Sequence, residues 1–314
     1  MSLRSICTAL ALLLLLAAAG CRPDAGTPPL QGASSEPATA VRQLAERLHA
    51  NDLVGYARAA VPPEDYDRFE AAWRDGHSRW PLSAMPLGER VPSLLQALSA
   101  PDAKTRLRRS FDRQLANQNS DLKEAARSLG LFGQQFLQHE ADYPEDARQH
   151  YLQMVAALSA WGQRAPLGDP ALGRAAVDRL VAAAQATGLD GDAALQAAGM
   201  QASLQALGPF LAESKAVLAG YGLDLDHSLA ELQTGLVEQD GDRASVRIHY
   251  PLAGQEIDAV VRLRRHDGHW YLDSYLQAAQ ALPAPPETEM PEAPPIDPDT
   301  LPPDAETAAD ARAS

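Results

Sequence analysis

Two histidines near the end of the chain, His266 and His269, have a spacing at which imidazole groups can bind a metal ion together. Asp267 and Gly268 between them predict a tight turn, so the two rings flank the tip of a hairpin. No cysteine follows Cys21, and no histidine lies close enough in sequence to complete a set of three ligands. We therefore predict a solvated turn here, with no metal and no cofactor.

A second pair, Ser120 and Lys123, has the spacing of the serine nucleophile and its lysine in penicillin-binding enzymes. Those enzymes also carry a Lys-Thr-Gly motif, whereas Lys104 and Thr105 are followed by Arg106 in this chain. A serine at the start of a helix accepts a hydrogen bond from a free backbone N–H group. Helix capping therefore explains Ser120 without catalysis.

Three carboxylates, Glu64, Asp65 and Asp67, follow Pro62-Pro63, a pair that predicts the start of a helix. Acidic side chains in a first turn are stabilised by the helix dipole, which explains these three without a hydrolase site. We predict that the chain has no catalytic residues. Gly130 and Gly133 leave two readings open, a close approach of two helices or a hinge.

A basic stripe is predicted on one amphipathic helix. Its cations are Arg106, Arg109 and Arg113, opposite the apolar residues Leu107, Phe111 and Leu115. The three arginines are candidates for a surface contact, either with lipid headgroups or with the acidic end of the chain. A solvated helix face is the alternative that the sequence favours.

The chain has a formal net charge of −14, and its last 32 residues, 283–314, hold eight acidic residues against Arg312. Nucleic-acid binding requires cations that neutralise phosphates, so this balance predicts no nucleic-acid partner. The two cysteines are Cys7 and Cys21. Removal of a segment containing Cys7 leaves no pair that can form a disulfide within the chain.

The first 21 residues resemble a bacterial lipoprotein signal. Arg4 is followed by an apolar run over residues 6–19, which is short for a membrane span, and then by Gly20-Cys21. Ala18-Ala19-Gly20-Cys21 is similar to a lipobox, with Ala18 where leucine is commonest. The resemblance implies that Cys21 is acylated and anchors the protein in a lipid bilayer. The alternative is an ordinary signal peptide, with Cys21 incidental.

Lipoprotein sorting, by the same resemblance, retains chains with Asp after the cysteine in the inner membrane. Arg22 holds that place here. The resemblance thus implies an outer-membrane location that faces the periplasm.

The chain divides into four predicted segments: a signal peptide (1–20), a flexible tether (21–36), a folded part (37–282) and a disordered, proline-rich acidic tail (283–314). Helical periodicity runs from 37 to about 233, with a break or kink expected at Gly208-Pro209. Alternating apolar residues after that predict about four strands. The fold class is therefore α+β, mostly helical, with a C-terminal antiparallel β-meander.

Residues 37–60 and 233–276 resemble nuclear-transport-factor-like (cystatin-like) cone domains of bacterial lipoproteins. The similar features are a first helix followed by Asn51-Asp52, and a meander that ends in Trp270-Tyr271-Leu272. The resemblance implies a curved sheet around the N-terminal helix. Helices over 85–225 would then be an insertion or a separate domain.

Three functions remain open at this point. The sequence favours a non-enzymatic interaction module that binds another protein of the cell envelope. The first alternative is a carrier of a lipid or other hydrophobic small molecule, held between the sheet and the helices. The second is a periplasmic enzyme, which needs titratable groups that converge in a pocket.

Overall fold

The computed structural model describes residues 34–139 and 143–283. The predicted signal peptide, Cys21, most of the tether and the tail beyond Pro283 lie outside these described residues. The architecture is α+β, as predicted, with helices followed by an antiparallel sheet and one last helix.

Twelve α-helices lie in the described residues. They are α1 (Pro37–His49), α2 (Leu53–Ala60), α3 (Pro63–Arg74), α4 (Val91–Ser99), α5 (Ala103–Gln114), α6 (Asn119–His139), α7 (Glu145–Arg164), α8 (Pro170–Ala186), α9 (Asp192–Ala198), α10 (Met200–Gly220), α11 (Leu225–Ala230) and α12 (Asp273–Gln280). Short 3₁₀ turns at Leu82–Ala84 and Gly88–Arg90 precede α4. Within 34–139 and 143–283, every helix falls short of the combined length and apolarity that a bilayer span requires.

Local chemistry fixes several helix starts. The side chains of Asp52, Asp169 and Asp224 accept hydrogen bonds from backbone N–H groups at the starts of α2, α8 and α11. The capping role predicted for Ser120 was wrong, because Ser120 lies inside α6, which begins at Asn119.

The break predicted at Gly208-Pro209 is absent, because α10 continues through both residues. A proline removes one backbone donor from a helix interior, and this loss can be offset by packing. The neighbours Leu207 and Phe210 are buried in the helical core. A Cβ on Gly208 would lie 2.7 Å from the carbonyl oxygen of Asn51, so glycine permits the close approach of the α1–α2 connection. Tertiary contacts thus keep this helix continuous through a local breaker.

The four strands form the predicted meander in the order β1-β2-β3-β4, with every neighbouring pair antiparallel. Their bounds are β1 (Gln233–Asp240), β2 (Arg243–Leu252), β3 (Gln255–His266) and β4 (His269–Leu272). Gly241, Gly254 and Gly268 have positive φ at the three connections, where a side chain would be strained.

One face of the sheet is apolar and packs against α1. The apolar face is built from Val246, Ile248, Ala259, Leu263 and Trp270, and α1 contributes Ala40 and Val41. Val246 is fully buried and Trp270 is 2% exposed, so side chains fill the space between α1 and the sheet. This packing does not support the alternative in which a hydrophobic ligand is carried between the sheet and α1.

Helix α7 covers the free edge of β3. Strand β4 pairs only with residues Leu263 to His266, so among the described residues the earlier part of β3 has no strand on that side. The Gln153 side chain donates to the carbonyl oxygen of Asp258 (2.8 Å) and accepts from its N–H group (2.9 Å). One amide thus makes the two hydrogen bonds that a neighbouring strand would make.

The helices share a second core, which is centred on aromatic residues. Trp73 is fully buried and donates its indole N–H to the carbonyl oxygen of Leu195 (2.8 Å). Trp80 stacks on Phe69 with ring centroids 4.3 Å apart. Helix α12 returns from the sheet and adds Ala279 to this core. Helix α1 at the start of the described fold and helix α12 at its end therefore each connect the sheet to the helical core.

A buried lysine joins three helices. Lys215 of α10 is 3% exposed, and its ammonium donates to the carbonyl oxygens of Leu48 and His49, both at 3.1 Å. It also forms an ion pair with Asp226 of α11. The last carbonyls of α1 have no partners inside their own helix, so Lys215 supplies the donors they need.

We predict that Lys215→Met lowers the free energy of unfolding by about 1–3 kcal/mol, because the carbonyl oxygens of Leu48 and His49 lose the ammonium donor and Leu48 keeps only the N–H group of Asn51. Methionine keeps most of the apolar stem, so the change isolates the ammonium. Urea denaturation measures the difference. Lys104→Met is the control, since Lys104 is mostly exposed beside Asp178, and it should change stability by less than about 1 kcal/mol. Equal stability of the two variants would show that the buried contacts contribute nothing.

Candidate functional site

An apolar cleft lies between the segment before α4 and one side of α10. Its volume is about 470 Å³. The lining is dominated by Leu82, Met85, Val91, Leu94, Phe210 and Leu211. Small-molecule sites in proteins are concave, largely apolar and about 300–1,000 Å³ in size, and this cleft meets those criteria.

The rim of the cleft is a tightly bonded loop. The N–H groups of Met85, Gly88 and Arg90 each donate to a carbonyl three residues earlier, at 2.9, 3.0 and 2.9 Å. A Cβ on Gly88 would lie 1.6 Å from the carbonyl oxygen of Leu82, so the loop can close this tightly only with glycine there. Leu87 lines the cleft at φ 61° and is 83% exposed. A non-glycine residue in this region is strained, and such strain is concentrated at ligand-binding positions.

A second surface, the aromatic face of α6, consists of Leu129, Phe132 and Phe136. These side chains are 70%, 67% and 52% exposed, and the two phenylalanine rings stack 6.5 Å apart. Helical spacing places Leu122 and Ala126 on the same apolar face as these three residues. The structure divides that face, because α7 covers one side of it and leaves the aromatic side in solvent.

Glycines set the distance between α6 and α7. A Cβ on Gly130 would lie 2.1 Å from the hydroxyl oxygen of Ser159, and one on Gly133 would lie 3.2 Å from Val155. The Ser159 hydroxyl donates to the carbonyl oxygen of Ala126 at 3.1 Å. Of the two readings open from the sequence, the structure therefore favours close helix approach.

The basic stripe of α5 is exposed, as predicted for a solvated face. Arg106 pairs with Asp102 at 3.7 Å and donates to the carbonyl oxygen of Ala97 at 3.0 Å. Arg109 and Arg113 make no ion pair among the described residues. Exposed pairs of this kind contribute little to stability. A lipid or protein contact of the stripe stays a prediction.

The two candidate histidines are cross-strand partners at the β3–β4 turn, but their rings make different contacts. The His266 ring lies 2.7 Å from a carboxylate oxygen of Glu64 and 3.6 Å from one of Asp267. His269 instead contacts the backbone oxygen of Asp267 through Nδ1, at 2.9 Å. Glu64, His266 and Asp267 could share an ion by geometry, but all three are exposed. Their contacts attach the β3–β4 turn to the start of α3.

The groups with shifted pKa values are packed aromatic side chains. Burial raises the pKa of Tyr56 and Tyr275, whose hydroxyl oxygens lie 2.5 Å apart, and raises the pKa of Tyr250 to about 12. Burial lowers the pKa of His150, which contacts the Tyr250 hydroxyl at 2.7 Å. These four residues do not line the apolar cleft. Ser120 and Lys123 are both exposed on α6.

Sequence reasoning missed the cleft. Residues 82–94 carry no binding motif, yet Met85 and Leu87 are large apolar side chains in the short segment before α4. Large apolar residues in a short irregular segment are the signal from which a binding rim could have been predicted. Their partners in α10 come from more than a hundred residues later, so the cleft required the fold.

We predict that Phe132→Ala and Phe136→Ala each change the free energy of unfolding by less than about 0.5 kcal/mol, because their rings are mostly in solvent. Phe69→Ala, at a buried ring in the helical core, should lower it by about 3–5 kcal/mol. Urea denaturation of the three variants tests the contrast. A large loss at Phe132 would mean that this ring is a structural part of the helix pair.

Comparisons with protein-family models, with curated proteins and with solved structures find no match to this chain. The resemblance to cone domains therefore stays a prediction from the sequence.

Proposed function

We propose that this protein is a lipoprotein of the bacterial outer membrane that faces the periplasm and binds another envelope protein without catalysing a reaction. Support for the anchor comes from the apolar run over 6–19, the sequence Ala18-Ala19-Gly20-Cys21, and Arg22 after the cysteine. Two or more acyl chains on Cys21 would hold the protein stably at the bilayer.

The observation that carries the binding role is the aromatic face of α6. Leu129, Phe132 and Phe136 expose large apolar surface on one side of a helix whose opposite side packs on α7. Aromatic side chains are enriched at the centres of protein interfaces, because covering them removes a large apolar area from water. A helix that packs on α7 with one side and exposes apolar side chains on the other presents a docking surface for another protein.

Acylation of Cys21 predicts a specific mass. The protein extracted from membranes should lack residues 1–20 and carry two or three acyl chains, because lipoprotein processing cleaves before the modified cysteine. Intact-mass spectrometry measures both properties, and Cys21→Ser is the control that should remain unacylated. An unmodified chain that begins at residue 21 would remove the anchor from the proposal.

The interaction surface can be tested in living cells by photo-crosslinking. A benzophenone amino acid at position 132 should give a discrete crosslinked species with an envelope protein, because the partner covers this ring. The same amino acid at position 236, an exposed leucine of β1, is the matched control and should give none. Mass spectrometry then identifies the species.

Two results would contradict the partner role. One is an absence of crosslinks at positions 129, 132 and 136 under conditions in which the protein is abundant. The other is a crosslink to a second copy of the same chain, which would make the face a self-association surface.

A further inference from the structure

We propose that the apolar cleft beside α10 binds one fatty acid, with the acyl chain in the cleft and the carboxylate at Arg90. This site is separate from the aromatic face of α6. Fatty-acid binding at the cleft therefore does not depend on whether a protein partner binds the aromatic face.

The polar groups of the cleft favour an acyl chain over a peptide. Ser93 and Ser214 line the cleft, and their hydroxyls already donate to the carbonyl oxygens of Arg90 (3.0 Å) and Phe210 (2.8 Å). A peptide would bring backbone N–H and C=O groups that need partners once they leave water. An acyl chain brings no such groups, so an apolar lining satisfies it fully.

The size of the cleft fits a ligand with one chain. A volume of about 470 Å³ lies in the lower half of the range for small-molecule sites, about 300–1,000 Å³. A phospholipid with two acyl chains and a headgroup requires considerably more room. The proposal therefore commits to a free fatty acid.

The single charged side chain that lines the cleft is a cation. Arg90 lines the rim, is exposed, and makes no ion pair among the residues that the structure describes. Glu89, its neighbour in the chain, does not line the cleft. A guanidinium binds a carboxylate through two parallel hydrogen bonds, so the charge and geometry of Arg90 complement a fatty-acid headgroup.

Leu87 completes the site at the rim. The bonded loop holds its side chain at the cleft while leaving it 83% exposed, in a backbone conformation that leucine rarely adopts. Apolar surface in this position is favourable only when something apolar covers it. The part of the acyl chain next to the carboxylate at Arg90 would provide that cover.

The test uses the chain from residue 21 onward with Cys21→Ser, which keeps every described residue and removes the protein's own acylation site. Bound lipid is stripped first. Palmitate is then titrated below its micellar concentration, with displacement of the fluorescent fatty acid cis-parinaric acid as the readout. We expect saturable binding of one palmitate per chain.

Two variants and two matched controls locate the site. Arg90→Gln and Leu87→Asn should each weaken palmitate binding about tenfold, through loss of a charge-assisted hydrogen bond and of apolar contact. Asparagine tolerates the positive φ at position 87, so the loop should stay folded. Arg74→Gln and Leu236→Asn alter an exposed cation and an exposed leucine elsewhere, and should leave binding unchanged.

An uncharged analogue separates the headgroup from the chain. Hexadecanol should bind wild type more weakly than palmitate does, and Arg90→Gln should not weaken it further. The proposal is overturned by the absence of saturable palmitate binding, or by binding that Arg90→Gln and Leu87→Asn leave intact. Capture of an apolar peptide or a lysophospholipid in place of palmitate would also overturn it. Phe132→Ala should leave palmitate binding unchanged, which distinguishes failure at this cleft from failure at the aromatic face.

Discussion

The arrangement of the whole fold depends on how α1 ends. This helix belongs to both cores, since Ala40 and Val41 pack on the sheet while Leu44 packs among the helices. Its last carbonyls need donors from outside the helix, and the ammonium of Lys215 in α10 donates to those of Leu48 and His49. The same ammonium pairs with Asp226 in the short helix that leads into β1. One buried charge therefore fixes the helix that connects the two layers.

Much of the fold was predictable because local chemistry and periodicity agreed. The glycines at the strand connections and the alternation over 244–263 predicted the meander and its turns, and Pro63 predicted the start of α3. The failures came where distant packing overrides a local signal. Pro209 stays within α10 because Leu207 and Phe210 on either side of it are buried in the helical core. Such contacts are invisible to a short sequence window.

The two candidate surfaces also depend on contacts that a short sequence window does not contain. Helical spacing marked Phe132 and Phe136 as apolar but could not show that α7 covers only part of their face. The cleft brings Met85 and Leu87 together with Phe210, residues far apart in the chain. The two surfaces differ in shape, one a convex helix face and the other a concave groove, and so suit ligands of different kinds. A protein partner and an apolar small molecule could be bound by the same chain without competition.

The Gln153 amide that occupies the edge of β3 has a consequence for assembly. An unpaired strand edge invites a strand from another molecule, and the outcome is swapped dimers or aggregates. Helix α7 precedes β3 by about ninety residues, so a chain synthesised from its N-terminus has already made this helix when the strand appears. The segment that blocks intermolecular pairing thus exists before the edge it protects.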